Sequence, residues 1–309
     1  MKPGLEVKIG KLRLKNPVMA ASGTFGEEYK DLVDINSLGA VVAKTITLKP
    51  YSGNPPPRLA ETPSGMLNSI GLENKGLDDF LKNKMKFLKT LKIPVIASIA
   101  GEDESEFKEL AKHLSKVKRV DAIEVNLSCP NIKGRGMIAQ DAKATYRVIT
   151  AVRKATSLTM IAKLSPNVTD INQIAKSAEV AGADAVTLIN TILGMAVDID
   201  TKSPVLGNVT GGLSGPAIRP IALRMVWETR NKIKIPIIGA GGIMDYKDAI
   251  EFILCGAKAI QVGTANFVNP KATTEIIDGI KRYLVRNKIR DINRLVGTLN
   301  ATPGVGKVI

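Results

Sequence analysis

Eight short runs of apolar residues recur along the chain, separated by segments with helical periodicity. Most of these runs are apolar throughout instead of alternating with polar residues, which is typical of parallel strands buried on both faces. Between two of them, Phe107, Leu110 and Leu114 repeat at the spacing that places them on one face of a helix. The pattern predicts strands at residues 17–21, 40–44, 94–99, 122–126, 160–164, 185–189, 236–240 and 259–262.

Eight strand–helix units in 309 residues favour an α/β fold, the (β/α)₈ or TIM barrel, in one domain spanning residues 1–309. A doubly wound sheet would more often carry a GxGxxG dinucleotide fingerprint, but Met244 takes the place of the third glycine in segment 239–244. Alternating apolar residues around Gly10 predict a small N-terminal β-hairpin. The last long helix is predicted to begin at residues 269–270, an Asn-Pro pair.

Two connections between predicted strands are too long to be simple turns. Residues 45–73 follow the second strand and contain five prolines, whereas residues 190–216 follow the sixth strand and contain five glycines. Both begin at the carboxyl ends of their strands, where barrels place their active sites. Because long loops in compact domains usually act as lids or binding segments, we expect both connections to serve the active site.

The charge balance leaves two classes of protein open. Lys and Arg number 44 against 29 Asp and Glu, which gives a net charge of +15. Such an excess is found in nucleic-acid-binding proteins, but it also attracts anionic substrates and cofactors to an enzyme. Aromatic residues make up only 4 %, too few for a base-stacking platform, so nucleic-acid binding is the less favoured alternative and no nucleic-acid partner is predicted.

The sequence predicts a cytoplasmic protein that does not associate with membranes. The longest stretch without a charged residue, 203–218, has 16 residues and is rich in Gly and Pro, which does not suit a membrane-spanning helix. Charges also interrupt the N-terminal residues, so they do not resemble a signal peptide.

Two cysteines and one histidine limit the chemistry that the chain can carry out. They are too few for a disulfide scaffold, a zinc cluster or a Cys₄ iron–sulfur site, and no metal site is predicted. His113 stands beside the apolar stripe of a helix, far from any strand end, so we expect a boundary residue. Cys129 follows a strand end and is the candidate nucleophile or general base, whereas Cys255 lies in an apolar run and is expected to fill space in the core.

Charged residues also appear within or at the ends of the apolar strands. Lys44 and Lys163 end apolar runs, where a lysine needs an anionic partner, so we expect both to contact a ligand. A barrel aldolase that forms a Schiff base through Lys163 is therefore one possible enzyme. Glu124 stands two residues before Asn126, and the period of a strand places both on the inward side of the barrel. We expect a buried lysine or a polar network around this acid.

Glycines follow the last two predicted strands. Gly241 and Gly242 end the seventh strand, and Gly263 with Thr264 ends the eighth. Backbone N–H groups exposed by glycine can approach a phosphate closely, and barrels often build their phosphate site from these two loops. The sequence therefore predicts a phosphate-bearing ligand.

Several motifs together resemble one enzyme family, the dihydroorotate dehydrogenases. The motifs are Asn-Leu-Ser-Cys-Pro-Asn at 126–131, Lys-Thr at 44–45 with Asn-Ser-Ile-Gly-Leu at 68–72, and Asn-Thr-Ile-Leu-Gly-Met-Ala at 190–196. Three further stretches, at 17–26, 209–217 and 261–269, resemble more narrowly the catalytic subunit of class 1B. The resemblance runs from about residue 4 to residue 286 and is therefore nearly chain-long.

The resemblance implies an FMN enzyme of pyrimidine biosynthesis that oxidises dihydroorotate to orotate, with one FMN in each chain. It implies that Cys129 removes a proton from C5 of dihydroorotate while C6 delivers hydride to flavin N5. The substrate residues that it implies are Lys44, Asn68, Ser69, Ile70, Gly71, Leu72, Asn126, Asn190 and Thr191. The FMN residues that it implies are Ser22, Lys44, Thr45, Ser98, Asn126, Lys163, Ile189, Gly215, Gly241, Gly242, Gly263 and Thr264. Family members often have Asn where Ser98 stands, and class 1B relatives tend to have Phe-Gly in the loop after Gly136.

The class 1B resemblance also implies a partner subunit. Electrons would pass from FMN to NAD⁺ through a [2Fe–2S] cluster and FAD that a separate chain holds, in a heterotetramer with two copies of each chain. Two cysteines and the missing GxGxxG leave this chain unable to hold those carriers itself. A single-subunit, fumarate-linked class 1A enzyme is the alternative within the family.

Overall fold

The computed structural model describes residues 3–128 and 137–300, and within them the predicted barrel is confirmed. Eight parallel strands close on themselves, and each lies beside its predecessor in the chain. The barrel closes where Gln261 of the last strand pairs in register with Met19 of the first. Numbered with all strands of the chain, they are β3 (Val18–Ala20), β4 (Ala40–Val42), β7 (Val95–Ile99), β8 (Ala122–Asn126), β9 (Thr159–Lys163), β10 (Ala185–Leu188), β15 (Ile237–Ala240) and β16 (Ala257–Val262).

Helices connect most barrel strands and pack around the outside. The first connection differs, because it contains two short 3₁₀ turns, Glu27–Tyr29 and Ile35–Ser37. A short π-helical turn, Phe80–Lys84, joins the first two helices. The helices are α1 (Gly76–Asp79), α2 (Met85–Leu88), α3 (Glu104–Leu114), α4 (Ala142–Ala155), α5 (Ile171–Val180), α6 (Arg219–Thr229), α7 (Tyr246–Cys255), α8 (Ala265–Val268) and α9 (Ala272–Arg286). Within the described residues, none of them is long and apolar enough to cross a bilayer.

Aspartates set the start of four of these helices. Each carboxylate accepts hydrogen bonds from backbone N–H groups of the first helical turn, which otherwise lack partners. The four N-cap residues are Asp103, Asp141, Asp170 and Asp245. The predicted start of the last long helix at 269–270 was wrong by a short turn: Asn269 Oδ1 accepts from the backbone N–H of Lys271, and α9 begins at Ala272.

The predicted N-terminal hairpin closes the amino end of the barrel. It consists of β1 (Val7–Ile9) and β2 (Leu12–Leu14), joined at Gly10. The backbone N–H of Lys11 donates to Thr159 Oγ1, 3.0 Å away, at the first residue of β9. Ile9 and Leu14 are completely buried, so the hairpin seals this end with apolar side chains.

The two long connections are not loops but halves of one sheet. The first supplies β5 (Leu59–Thr62) and β6 (Gly65–Asn68), and the second supplies β11 (Ile192–Met195) and β14 (Thr210–Ser214). The four strands pair antiparallel in the order β11-β14-β6-β5, which we call the cap sheet. A small hairpin of β12 (Val197–Asp198) and β13 (Ser203–Pro204) extends from the same connection. The cap sheet stands at the carboxyl end of the barrel, where the candidate site residues meet.

Candidate active site

Three hydroxyl groups form a chain across the ends of the first three barrel strands. Ser22 Oγ donates to the carbonyl oxygen of Ala43 at 2.9 Å and lies 3.1 Å from Thr45 Oγ1. Thr45 Oγ1 in turn lies 2.8 Å from Ser98 Oγ. Thr45 and Ser98 are buried and Ser22 is half-buried, so the chain lines the mouth with hydroxyls held in fixed positions. The serine at 98 shares a hydrogen bond with Thr45, which a bulkier asparagine would have to rearrange.

A buried polar cluster, which we call the inner network, lies inside the barrel below the mouth. It consists of Glu124, Lys163, Thr187 and Gln261, on β8, β9, β10 and β16. Gln261 Nε2 donates to Glu124 Oε2 at 2.5 Å, and Thr187 Oγ1 donates to the same oxygen at 3.3 Å. Lys163 Nζ donates to Gln261 Oε1 at 3.4 Å and lies 3.9 Å from Glu124 Oε1. The prediction of a lysine and a polar network at Glu124 is confirmed.

Lys44, unlike Lys163, is exposed at the open mouth. Desolvation by the surrounding protein lowers its pKa below the ordinary lysine value, and the positive charges of Arg58 and Lys84 lower it further. The negative charge of Glu73 acts in the opposite direction. Within the described residues, no carboxylate lies within 4 Å of Lys44 Nζ. The ammonium is thus available to an anionic ligand.

Amide side chains converge at the ends of β8 and β10. Asn190 Nδ2 donates to Asn126 Oδ1 at 3.2 Å, and the backbone N–H of Thr191 donates to Asn190 Oδ1 at 2.8 Å. Ile189, 3 % exposed, precedes them, and its Cγ1 lies 3.4 Å from where a Cβ on Gly241 would stand. The structure therefore brings predicted substrate residues and a predicted FMN residue to one edge of the mouth.

The segment 68–72 approaches the same edge through the cap sheet. Asn68 Nδ2 donates to the carbonyl oxygen of Gly212 on β14 at 3.2 Å. Ser69 Oγ accepts a hydrogen bond from Asn54 Nδ2 at 2.8 Å. The side chain of Asn68 is therefore hydrogen-bonded to β14 and not to Asn190 itself. The remaining predicted residues, Ile70, Gly71 and Leu72, continue this loop, and all three are half-buried.

Glycines and a threonine form a cradle beside the amide edge. Gly215 and Gly242 have positive φ angles of 95° and 74°. A Cβ on Gly242 would lie 2.8 Å from the carbonyl oxygen of Gly215, so no other residue fits there without displacing backbone. Thr264 Oγ1 donates to Ser214 Oγ at 2.9 Å and thereby joins the eighth strand to β14. The predicted FMN residues that meet here are Gly215, Gly241, Gly242, Gly263 and Thr264.

Of the two cysteines and the histidine, the structure describes Cys255 and His113. Cys129 lies outside the described residues, and its predicted role stays a prediction. Ser128, just before it, donates its backbone N–H to Asn126 Oδ1 at 3.3 Å. Cys255 is buried in the core, and desolvation raises the pKa of its thiol, which confirms the expected filler. His113 is a half-exposed residue whose Nε2 lies 3.0 Å from Glu109 Oε1, as expected at a boundary.

Two polar residues of the inner network were not predicted as site residues. Gln261 and Thr187 are both at most 1 % exposed, yet each has apolar neighbours on both sides in its strand. That contrast is the signal that identified Lys163 and Glu124, and it applies equally to uncharged polar residues. Another, Asn167, was missed because it lies beyond the end of β9. Its Nδ2 donates to the carbonyl oxygen of Thr191 at 3.1 Å.

A family profile and several curated relatives match nearly the whole chain. The profile is described as dihydroorotate dehydrogenase and matches residues 4–284. The dihydroorotate dehydrogenase B (NAD(+)) catalytic subunit of Thermoanaerobacter sp. strain X514 is 55 % identical over 298 residues, 96 % of this chain and 98 % of that protein. The protein of the same description from Trichlorobacter lovleyi is 53 % identical over 302 residues, 97 % of this chain and 99 % of its own.

Among solved structures, the fold is similar to that of DHODH in complex with ferulenol from Eimeria tenella. The TM-score is 0.80, and the alignment covers 96 % of this chain and 88 % of the other. Sequence identity is 24 %, so this likeness supports the barrel fold alone.

Proposed function

The chain belongs to the dihydroorotate dehydrogenase family, and from that premise we propose that it oxidises dihydroorotate to orotate as the catalytic subunit of an NAD⁺-linked enzyme of pyrimidine biosynthesis. The observation that carries the proposal is the near-complete match to relatives that bear that description, at 53–55 % identity from end to end. These relatives favour class 1B over the fumarate-linked class 1A enzyme. They give no support to a Schiff-base aldolase or to a nucleic-acid-binding protein.

The residues at the mouth fit FMN as the cofactor. The cradle at Gly215 and Gly242 has no room for a Cβ, as expected where backbone N–H groups approach a phosphate. The buried ammonium of Lys163 lies below the mouth, where it would favour negative charge on a reduced flavin ring. When bound, FMN would supply the hydride acceptor, a chemistry that protein side chains lack.

The chain's own residues have distinct tasks in this proposal. Lys44 and the amides of Asn126 and Asn190 bind the carboxylate and ring carbonyls of the substrate, since a cationic, amide-rich edge suits an anionic pyrimidine. Their fixed hydrogen bonds orient the ring, and the cap sheet above them limits access of water. Cys129 takes the C5 proton as general base.

We further propose a partner subunit, a single functional domain and a cellular location for the chain. The words "catalytic subunit" in the relatives' descriptions imply a partner, which we assign as a separate chain that holds FAD and a [2Fe–2S] cluster, with two copies of each chain. The site that we propose draws on strands from both halves of the sequence, so we treat residues 1–309 as one functional domain. Its location would be the cytoplasm.

The choice of electron acceptor tests this proposal. The purified chain should bind FMN, turn yellow and lose its flavin colour when dihydroorotate is added without oxygen. It should then pass electrons to artificial acceptors but reduce NAD⁺ poorly until the partner chain is added. Rapid turnover with fumarate would point to class 1A, fast NAD⁺ reduction by the chain alone would exclude the two-subunit arrangement, and a colourless protein without flavin affinity would refute the dehydrogenase itself.

A further inference from the structure

The inner network contains an ion pair of which the proposed reaction uses only the lysine. Glu124 is completely buried and Lys163 is 8 % exposed, so both charges are almost entirely removed from water. A buried charge is costly unless a partner of opposite sign lies close by. The closest approach between the two is 3.9 Å, from Nζ to Glu124 Oε1, and the Gln261 amide bridges them by a second path.

The hydrogen bonds of Glu124 are unevenly distributed between its two oxygens. Oε2 accepts from both Gln261 and Thr187, whereas Oε1 accepts from none of the residues that the structure describes. The oxygen without a donor is the one that faces Lys163 Nζ. Two donors thus fix the carboxylate so that its remaining acceptor is directed at the ammonium.

We propose that Glu124 and Gln261 are positioning residues for Lys163: the carboxylate supplies the counter-charge of the buried lysine, and the amide holds its ammonium toward the cofactor. The inference rests on the proposed binding of FMN at this mouth. The Nζ hydrogen bond to Gln261 is long, at 3.4 Å, and Nζ has three protons. The ammonium is therefore held in place while donors remain for a ligand above it.

The surroundings of Lys163 leave Glu124 as its counter-charge. The two strands paired with β9 are β8 and β10; β8 presents Glu124, and β10 places the uncharged Thr187 in register with Lys163. Across the barrel, β16 presents the uncharged Gln261. Within the described residues, Glu124 is the acid that lies within 4 Å of Nζ. Without its carboxylate, the buried ammonium would have no counter-charge within that distance, which makes its position costly.

Four variants test the proposal through FMN affinity rather than through turnover. E124Q removes the charge but keeps a carbonyl oxygen that can accept from Gln261, and K163M removes the ammonium. The double variant E124Q/K163M shows whether the acid acts through the lysine. T187V is the matched control, since it removes one donor to Glu124 and leaves both charges in place. FMN binding to each apoprotein is measured by flavin fluorescence and the flavin reduction potential by equilibration with redox dyes, with circular dichroism to verify folding.

The proposal predicts a loss in E124Q that depends on Lys163. The FMN affinity of E124Q should fall toward that of K163M, by roughly tenfold, and its flavin reduction potential should shift in the same direction as in K163M, while T187V keeps the wild-type values. In the K163M background, E124Q should cause no further loss. Wild-type affinity and potential in E124Q, or equal losses with and without Lys163, would overturn the proposal and leave Glu124 as a structural acid.

Two safeguards keep the outcomes separate. If an apoprotein does not refold, release of FMN from the diluted holoprotein gives the same comparison among the same variants. If the wild-type chain itself binds no FMN, the proposed function fails first. If the wild type binds FMN and E124Q has the same FMN affinity and flavin potential, only the positioning role fails.

Discussion

The two ends of the barrel are formed by the same eight strands but by different kinds of side chain. At the amino end, the β1–β2 hairpin brings Ile9 and Leu14, both fully buried, against the first residues of the strands. At the carboxyl end, the side chains are hydroxyls, amides and lysines, and the cap sheet covers them only in part. The first residues of the strands therefore contribute to stability, and their carboxyl ends lead to the proposed active site. Substitutions at the two ends should separate folding from catalysis.

The largest effect is expected from Cys129→Ala, which removes the proposed general base. Loss of a general base typically slows the chemical step by about 10²–10⁴-fold, so flavin reduction by dihydroorotate should slow by that factor while FMN and orotate still bind. In the wild type, the same rate should increase with pH, because the proposed base is the thiolate. Stopped-flow absorbance of the flavin measures both. An alanine variant with the wild-type rate would remove Cys129 from the mechanism.

The next largest effect is expected at the amino end, from Leu14→Ala. Truncation of a fully buried leucine leaves a cavity and should lower the free energy of unfolding by about 2–5 kcal/mol. Because Leu14 lies at the opposite end of the strands, the FMN affinity of the folded variant should equal that of the wild type. Urea denaturation and a flavin titration supply the two numbers. A large loss of FMN affinity in a stable variant would show that the ends are not separable.

A smaller effect is expected from Glu73→Gln at the rim of the mouth. The carboxylate of Glu73 raises the pKa of Lys44 against the lowering by desolvation, so its removal should lower that pKa further. The proposed binding of orotate needs Lys44 in its charged form. It should therefore begin to weaken at a lower pH than in the wild type, and the loss of affinity in the neutral range should be less than about tenfold. Isothermal titration of orotate across pH measures the shift. Lys44→Met is the control, and its orotate affinity should not respond to Glu73→Gln.

The smallest effect is expected from Cys255→Ala. This cysteine is buried at the end of α7, so the substitution should lower the free energy of unfolding by about 1 kcal/mol. The rate of flavin reduction and its increase with pH should stay as in the wild type. Loss of the pH dependence in this variant would transfer the titrating thiol from Cys129 to Cys255.

The barrel could be predicted from the sequence because its signal is local and repeated. Runs such as 236–240 are apolar throughout, and the structure has β15 at residues 237–240. The cap sheet could not be predicted in the same way. Its strands, β6 and β14, contain glycines and half-exposed residues, and they pair across 144 positions of sequence at Asn68 and Gly212. No short sequence pattern predicts a pairing between strands so far apart in the chain.

The residues that meet at the mouth of the barrel could be predicted from the sequence, but the contacts between them could not. A charged or polar residue at the end of an apolar run identified Lys163 and Asn126, because burial makes such residues costly. The hydrogen bond between Asn126 and Asn190 depends on the register of non-adjacent strands, which the sequence does not reveal. Gln261 was missed because attention to charge passes over an uncharged amide, although the amide connects the two charges.

The closure of the barrel between β3 and β16 has a consequence for the order in which the protein is made. Val18 to Ala20 emerge from the ribosome long before their partners, Ile260 to Val262. The first strand thus has one edge unpaired until the eighth strand is translated. Lys163 likewise emerges before Gln261, the amide to which it donates a hydrogen bond. A nascent chain that ends before Gln261 would have neither a closed barrel nor a finished inner network, so the proposed flavin site can form only after that residue has been translated.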